Sequence, residues 1–538
     1  MTDANEDIDV VIIGAGPSGA VTAHTLAERG FKVVCLEQGD WTSPADFPGN
    51  RPEWELLLQR KWSWNQNTRG RPADYPVNVD DAAIIPIMYA GVGGSSVLFG
   101  AHWMRLLPSD FRVKTLDGIC DDWPIDYFEL EPFYNRIDKF IGVSGLGGDP
   151  AYPPQDFDMP PHPLGKGGMQ AARGMNKLGW HWWPGTQAIP TAKHKHMAKC
   201  VRWGMCEMGC PAGAKASFDL AFWPHAIAHG AKLITGARVR MIETGRDGRA
   251  NGVIYIDRQG KEHRQKTNAV VMAANGVGTS RLLLMSASSQ HPDGLANSSG
   301  LVGKNLMLHP NTESVGLYDE DIESWKGPAG QLLYSLQFYE TDLSRGFYRG
   351  SKINLMPAPG VLRLLSNFKS LPFEERWGAG VHDISEHAGR ALTWSANTED
   401  LPEESNRVTL DPILKDTDGL PAPKVSYVIS DNTMKNLKFS LDRLVEMHEA
   451  AGAVHIAKTL LWTEQPGHLL GTARMGNDPK TSVVDRWGRS HDVPNLFVVD
   501  GSVMVTSGAV NPTASITALA LRAAEHIADT SRDWSAHA

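Results

Sequence analysis

The chain is poor in cysteine, with five in 538 residues. The count is odd and three of the five crowd into residues 200–212, which argues against a disulfide framework. Runs of basic residues are missing and the net charge is −9. Without a cationic surface to neutralise phosphates, a general nucleic-acid or anionic-membrane binder is not expected. Long apolar runs are missing too: the uncharged stretches 84–104 and 501–521 are broken by Gly, Ser and Pro, and read as buried loops around a ligand rather than transmembrane segments. The first ten residues, MTDANEDIDV, are acidic and polar, unlike a secretory signal, a twin-arginine leader or a transit peptide. The expected location is the cytoplasm, or the periplasm through co-export with a partner. Internal repeats and low-complexity tails are absent, and the length suits two to four domains at about 150 residues each.

What is present begins with DVVIIGAGPSGAVTAHTLAERGFKVVCLEQGD. An apolar run, Val10 to Ile13, meets glycines 14, 16 and 19. Apolar residues at helical spacing follow, and a second run ends at Glu37. This is a strand, a glycine turn, a helix and a strand. Gly14 permits the turn, Gly16 lets backbone amides approach a pyrophosphate, Gly19 lets helix and strand pack, and Glu37 can accept hydrogen bonds from a ribose. Dinucleotide binding follows, with FAD and NAD both open at this point.

Near the other end, residues 511 to 527 carry apolar positions at helical spacing, with Pro512 suited to a first turn and Gly508 upstream. The helix start presents unpaired N–H groups and a partial positive charge. In CVRWGMCEMGCPA, five residues separate Cys200 from Cys206 and three separate Cys206 from Cys210, with glycines at 204, 209 and 213 for bending. Three thiolates suit a 3Fe-4S cluster. A metal-free thiol loop and a zinc site with His194 or His196 as fourth ligand remain open. Cys35 and Cys120 read as buried apolar fillers.

Several separated motifs then occur in order: YAGVGGSSVLFGAHWMRLLPSDF from 89, DWPIDYFELEPFY from 122, ANGVGTSRLLLMS from 274, GLVGKNLMLHP from 300, SNRVTLDP from 405, GHLLGTARMGNDP from 467, and the closing PNLFVVDGSVMVTSGAVNPTASITALAL. Together they resemble the glucose-methanol-choline (GMC) oxidoreductases over nearly the whole length. The cysteine spacing resembles the iron–sulfur subgroup, which includes bacterial sugar and polyol dehydrogenases. The resemblance implies an α/β fold: a Rossmann-like FAD-binding domain from residues 8–120, 215–310 and 466–530, and a substrate domain on an antiparallel sheet from 121–214 and 311–465, cysteine loop included. It implies FAD held by Gly14, Gly16, Gly19, Glu37, Gly93, Gly94, Ser95, Val239, Asp500, Gly501 and Pro512. Relatives that tether FAD covalently use a histidine at the position of Leu98, so a dissociable flavin is expected.

The resemblance also assigns His468 as the base that takes the hydroxyl proton of an alcohol, and Asn511 as the partner holding its oxygen. Neutral imidazole suits that task near pH 7. His102 is a lesser candidate for touching substrate or cofactor. The implied reaction is oxidation of a primary or secondary alcohol, such as a sugar or polyol, by hydride transfer to flavin N5. Electrons would pass through a 3Fe-4S cluster on Cys200, Cys206 and Cys210 to a cytochrome or quinone, with a small partner subunit in attendance. An oxidase using dioxygen is the alternative, and a non-catalytic electron-transfer flavoprotein a more distant one.

The middle of the chain yields coarser expectations. Strands fill 230–275, with turns at 245–248 and 259–260; a helix spans 431–451 with Leu437, Leu441, Leu444, Val445 and His448 on one side; and the Pro/Gly-rich stretches 145–165 and 357–375 are loops. Trp180, Trp182, Trp183 and Trp203 around the cysteine loop read chiefly as packing residues.

Overall fold

The computed structural model describes residues 8–329, 332–358, 360–368, 377–464 and 467–535. Five parallel strands form one sheet in the order Leu496–Val498, Ala269–Met272, Val10–Ile13, Val33–Glu37 and Lys232–Thr235. All but the edge strand Lys232–Thr235 are buried along their length and are largely Val, Ile, Leu and Ala, with Glu37 the one acid among them. That composition is what a sheet covered on both faces requires. Helix Pro17–Glu28 follows the first strand and packs on the closing helix Thr513–Asp529. Two glycines make this geometry possible. Gly14 has φ +103°, and a Cβ there would lie 2.5 Å from the Ala273 carbonyl oxygen; a Cβ on Gly19 would lie 2.0 Å from the Gly14 oxygen.

A second, six-stranded sheet is antiparallel: His455–Thr459, Asn311–Leu317, Ala391–Thr398, Ser351–Met356, Leu333–Ser335 and Trp183–Pro184. Side chains alternate across it with a period of two. Ile353, Leu355, Leu392, Trp394 and Ala396 form an apolar core beneath helices Gly165–Leu178 and Asp431–Ala451. The alternate positions, Asn311, Lys352, Asn354, Ser395 and Asn397, put polar groups on the other face; Asn397 pairs with Asn311 and with Lys352, and Ser395 pairs with Asn354.

The strands and turns expected between 230 and 275 are observed, with Gly248 and Gly260 at positive φ. Helix Asp431–Ala451 is capped by Ser430, whose hydroxyl accepts from the Thr433 amide, and closes on Gly452 at φ +87°. Its buried stripe differs from the expected one. Leu437, Leu444 and His448 are buried, but Leu441 and Val445 are half-exposed, because the face toward the sheet runs through Thr433, Ser440, Met447 and Ala451. Residues 145–164 are loop, as expected. The stretch 357–375 is not all loop, since Val361–Asn367 form a helix; 359 and 369–375 lie outside the described residues. Cys35 is fully buried, whereas Cys120 is only half-buried rather than a core filler. No helix among the described residues is long and apolar enough to cross a membrane.

Candidate active site

One cavity runs between the two sheets. Gly14, Gly16, Glu37, Gly94, Ser95, Val239, Asp500, Gly501, His468, Asn511 and His102 all line it. Gly19, Gly93 and Pro512 stand behind its wall. Gly19 seats the first helix, a Cβ on Gly93 would meet the Asp219 amide at 2.9 Å, and Pro512 caps the closing helix so that Thr513 faces the cavity. Gly16 and Gly94 face one another across the entrance to the first helix, where a Cβ on Gly94 would lie 2.8 Å from the Gly16 Cα. By contrast, a Cβ on Gly16 would meet nothing closer than 3.9 Å, so the space beside it is left for something other than protein. Both oxygens of Glu37 accept from backbone amides, Ala15 at 2.9 Å and Gly39 at 2.8 Å; burial pushes its carboxyl up while these bonds hold it down. Asp500 is clamped likewise by Thr279 at 2.6 Å and the Ser502 amide at 3.0 Å. A glycine cradle, a helix start and a carboxylate at the end of the second strand fit the pyrophosphate and ribose of FAD. The N-terminus of Thr513–Asp529 fits the ring end.

The catalytic end is held by a chain of hydrogen bonds. The His309 Nε2 lies 2.5 Å from the Gly508 carbonyl oxygen, which accepts only, so Nε2 carries the proton and Nδ1 is an acceptor. That Nδ1 is 2.9 Å from His468 Nδ1, which must therefore donate. The lone pair of His468 is left on Nε2, 3.4 Å from the Asn511 amide nitrogen. The network thus assigns the tautomer of an imidazole whose lone pair faces the cavity. Burial holds the His468 imidazolium well below the ordinary imidazole range, with smaller contributions from His309, Lys352 and His102. His468 is neutral, and able to accept a proton, throughout the neutral range.

Sequence reasoning overlooked Lys352. Its buried Nζ lies 2.7 Å from Asn511 Oδ1 and 3.2 Å from His102 Nδ1, and burial pushes the amine well below the ordinary lysine range. Asn397 Nδ2 also reaches Asn511 Oδ1, at 3.4 Å. With its oxygen tied back by two donors, Asn511 presents its NH2 group toward His468 and the cavity. His102 accordingly belongs to the site, through Lys352. The signal was present in SKINLM, where period-two alternation places Lys352, Asn354 and Met356 on one face of a strand that is otherwise apolar. Because Lys352 helps to hold the His468 imidazolium down, Lys352→Met is expected to raise the pKa of His468. The acid limb of the pH profile for flavin reduction should then move to higher pH, and a limb that does not move would refute the coupling.

The cysteine loop lies beside the same cavity. All five cysteines are free, and each loop sulfur accepts one backbone amide: Cys200 from Arg202 at 3.4 Å, Cys206 from Ala329 at 3.4 Å and Cys210 from Ala214 at 3.3 Å. Gly204, Gly209 and Gly213 all take positive φ, as the bend requires. Burial pushes the Cys206 thiol up to about 12. The geometry gives the zinc alternative no support. Among the described residues no three of the loop cysteines, His194 and His196 bring ligand atoms within 4.8 Å of one another; His194 Nε2 is bonded to the Phe140 carbonyl at 2.9 Å, and the His196 ring lies tilted beside His225, 4.9 Å between centroids. Buried Lys215 ties the loop to the cavity: its Nζ donates to the carbonyls of Cys206 (2.7 Å), Val97 (2.8 Å) and Phe99 (3.0 Å), and Phe99 lines the cavity.

Comparison with known proteins agrees with this geometry. Residues 170–311 and 402–520 match the N- and C-terminal profiles described as GMC oxidoreductase, and residues 7–46 match an FAD binding domain. The chain is 43% identical to the 2-methyl-1,2-propanediol dehydrogenase of Mycolicibacterium austroafricanum over 98% of this chain and 96% of that protein. It is 31% identical to the fructose dehydrogenase large subunit of Gluconobacter japonicus, over 98% and 99%. It is 30% identical to the paromamine 6'-oxidase of Streptomyces fradiae, over 97% and 91%. The solved pyridoxine 4-oxidase from Mesorbium loti shares the fold, with TM-score 0.65 at 18% identity, covering 96% of this chain and 99% of that one. A dinucleotide cradle, a neutral histidine base and these relatives along the full length lead to one conclusion: the chain belongs to the GMC oxidoreductase family and is an FAD-dependent dehydrogenase acting on alcohols.

Proposed function

We propose that the preferred substrate is a small polyhydroxylated alcohol, a vicinal diol or short polyol, rather than a simple monohydric alcohol. The observation that carries this reading is the wall opposite His468. Asn311, Asn354, Ser395 and Asn397 line the cavity from three adjacent strands, four polar side chains on the inner face of the antiparallel sheet. Asn311 donates to Asn397 and accepts from Ser395, so the wall is held in place, and a second hydroxyl group can use the remaining donor and acceptor capacity of these amides and of Asn354, which a monohydric alcohol cannot reach. Two relatives named for a diol and a sugar support the same class.

Bound FAD supplies the hydride acceptor. Asn511 donates its NH2 group to the carbinol oxygen, while Lys352 and Asn397 hold the amide in that orientation. His468 Nε2 takes the hydroxyl proton, and His309 keeps the imidazole in the tautomer that can do so. The polar wall binds the remainder of the substrate, and Leu98, with no group for a flavin bond, leaves FAD dissociable.

We further infer a 3Fe-4S cluster held by Cys200, Cys206 and Cys210. Among the described residues the three sulfurs are not all within 4.8 Å of one another. A single tetrahedral ion would need them about 3.8 Å apart, whereas a cluster places each thiolate on a different iron. The cluster would supply a one-electron outlet. Val201, Trp203 and Trp325 stand exposed around the loop, at 54%, 47% and 57%, an apolar landing for a cytochrome or a quinone. Anaerobically purified enzyme mixed with 1,2-diols and with matched monohydric alcohols tests both parts. The diols are expected to bleach the flavin at least about 10-fold faster at equal concentration, and the same preparation should contain iron and labile sulfide. Equal rates would sink the polyol reading, negligible iron the cluster, and peroxide formed as fast as a dye is reduced would make the enzyme an oxidase.

A further inference from the structure

Two short histidine motifs lie outside the active site. His24 and Glu28 are four residues apart at the end of helix Pro17–Glu28. His225 and His229 are four apart at the end of helix Trp223–Ala228. Residues at that spacing share one face of a helix, and these two helices pack together. The ring centroids of His24 and His229 are 5.4 Å apart, and those of His24 and His225 6.3 Å. Candidate ligand atoms of His24, Glu28 and His229 all lie within 4.8 Å of one another. His24 is buried, whereas Glu28 and His229 are exposed and can rotate. Beside them the Nε2 of His225 is shut off from solvent, with no hydrogen-bond partner among the described residues. A buried imidazole nitrogen left without a partner calls for one.

We propose that His24, Glu28 and His229 bind a divalent ion of the zinc class, with His225 able to complete the set. Two or three imidazoles and one carboxylate are a donor set that suits zinc, with nitrogens at about 2.0 to 2.1 Å from the metal. Closing from the present separations needs a movement of about 1 Å, within reach of the two exposed side chains. The charged and titratable neighbours are Lys195, over the Phe140 ring, His196, whose ring lies tilted beside His225, and His194. Burial pushes His24 down to about 4 and Lys195 down to about 8.

The ion would clip together two helices whose opposite ends brace the first glycine loop. Trp223 donates its indole N–H to the Ala15 carbonyl at 2.9 Å, and Pro17 opens the other helix. Zinc should therefore slow FAD release and raise the melting midpoint while leaving turnover unchanged. The test uses tag-free, chelator-treated holoenzyme titrated with zinc chloride, read by calorimetry and thermal melting. One saturable site in the micromolar range and a rise of about 3 °C are expected. In Glu28→Gln/His229→Ala the affinity should fall at least about 10-fold. Both substitutions are on the surface, so the variant should melt like the zinc-free parent. Zinc uptake that survives in that variant would place the ion elsewhere, for instance at the cysteine loop, and would overturn the proposal. So would the absence of saturable binding at pH 8.

Discussion

His468→Ala is expected to slow flavin reduction by about 10²- to 10⁴-fold, the usual worth of a positioned general base, while FAD content and the melting midpoint stay close to those of the parent enzyme. Among the described residues His468 makes two side-chain hydrogen bonds, to His309 and to Asn511. Its removal strips the cavity of a proton acceptor without exposing an ion. Anaerobic stopped-flow with a substrate diol, following the loss of oxidised-flavin absorbance, gives the rate directly. A variant that reduces flavin at the parental rate would remove His468 from the mechanism. The pH profile of the parent enzyme provides an independent check. Burial lowers the His468 pKa well below 6.5, so the active neutral form persists as pH falls, and reduction should decline only well on the acid side of ordinary imidazole titration.

The largest expected effect on stability comes from Arg349→Met. Arg349 is almost fully buried and donates to Asp110 at 2.6 Å, Glu399 at 2.8 Å and Asp117 at 3.2 Å. Asp110 also accepts from the Tyr339 hydroxyl at 2.7 Å, and that hydroxyl accepts from the Ala509 amide at 3.0 Å. The network therefore supports the loop whose Gly508 carbonyl fixes the His309 tautomer. Removing the cation leaves buried carboxylates unpaired, at a cost of about 3 to 5 kcal/mol. Urea unfolding should show the loss as a lower midpoint. The double variant Arg349→Met/Glu399→Gln should recover part of it, because one of the stranded charges is gone. If the double variant were no more stable than the single one, stranded charge would not be the cause.

The opening strand, helix and strand, Val10 to Glu37, were legible because Gly14 and Gly19 each answer a steric demand. The strand and turn order of 230–275 was legible because apolar runs alternate with Gly-containing turns. His468 and Asn511 were found through the resemblance, and the structure places them 3.4 Å apart. Lys352, His309 and the asparagine wall were not found: His309 lies in the motif GLVGKNLMLHP, and the others lie in 311–465, which was read only as part of the substrate-domain sheet. Their meaning depends on which strands lie side by side. Asn311 faces Asn397 across a gap of more than eighty residues in sequence, and no local pattern encodes that pairing. The zinc alternative at the cysteine loop gains no support for the same reason: His194 and His196 are near Cys200 in the chain, but their rings turn toward Phe140 and His225.

The order of strands in the parallel sheet bears on how the cofactor is acquired. Leu496–Val498 joins the sheet beside Ala269–Met272, and the cavity is walled by Gly14 at one extreme of the chain and Thr513 at the other. A polypeptide still emerging from the ribosome lacks the last strand, the Asp500–Gly501 pair and the closing helix, so it has only half a socket. Flavin loading therefore waits until the chain through the closing helix has folded, and a truncation before residue 496 should leave a colourless, ligand-free chain.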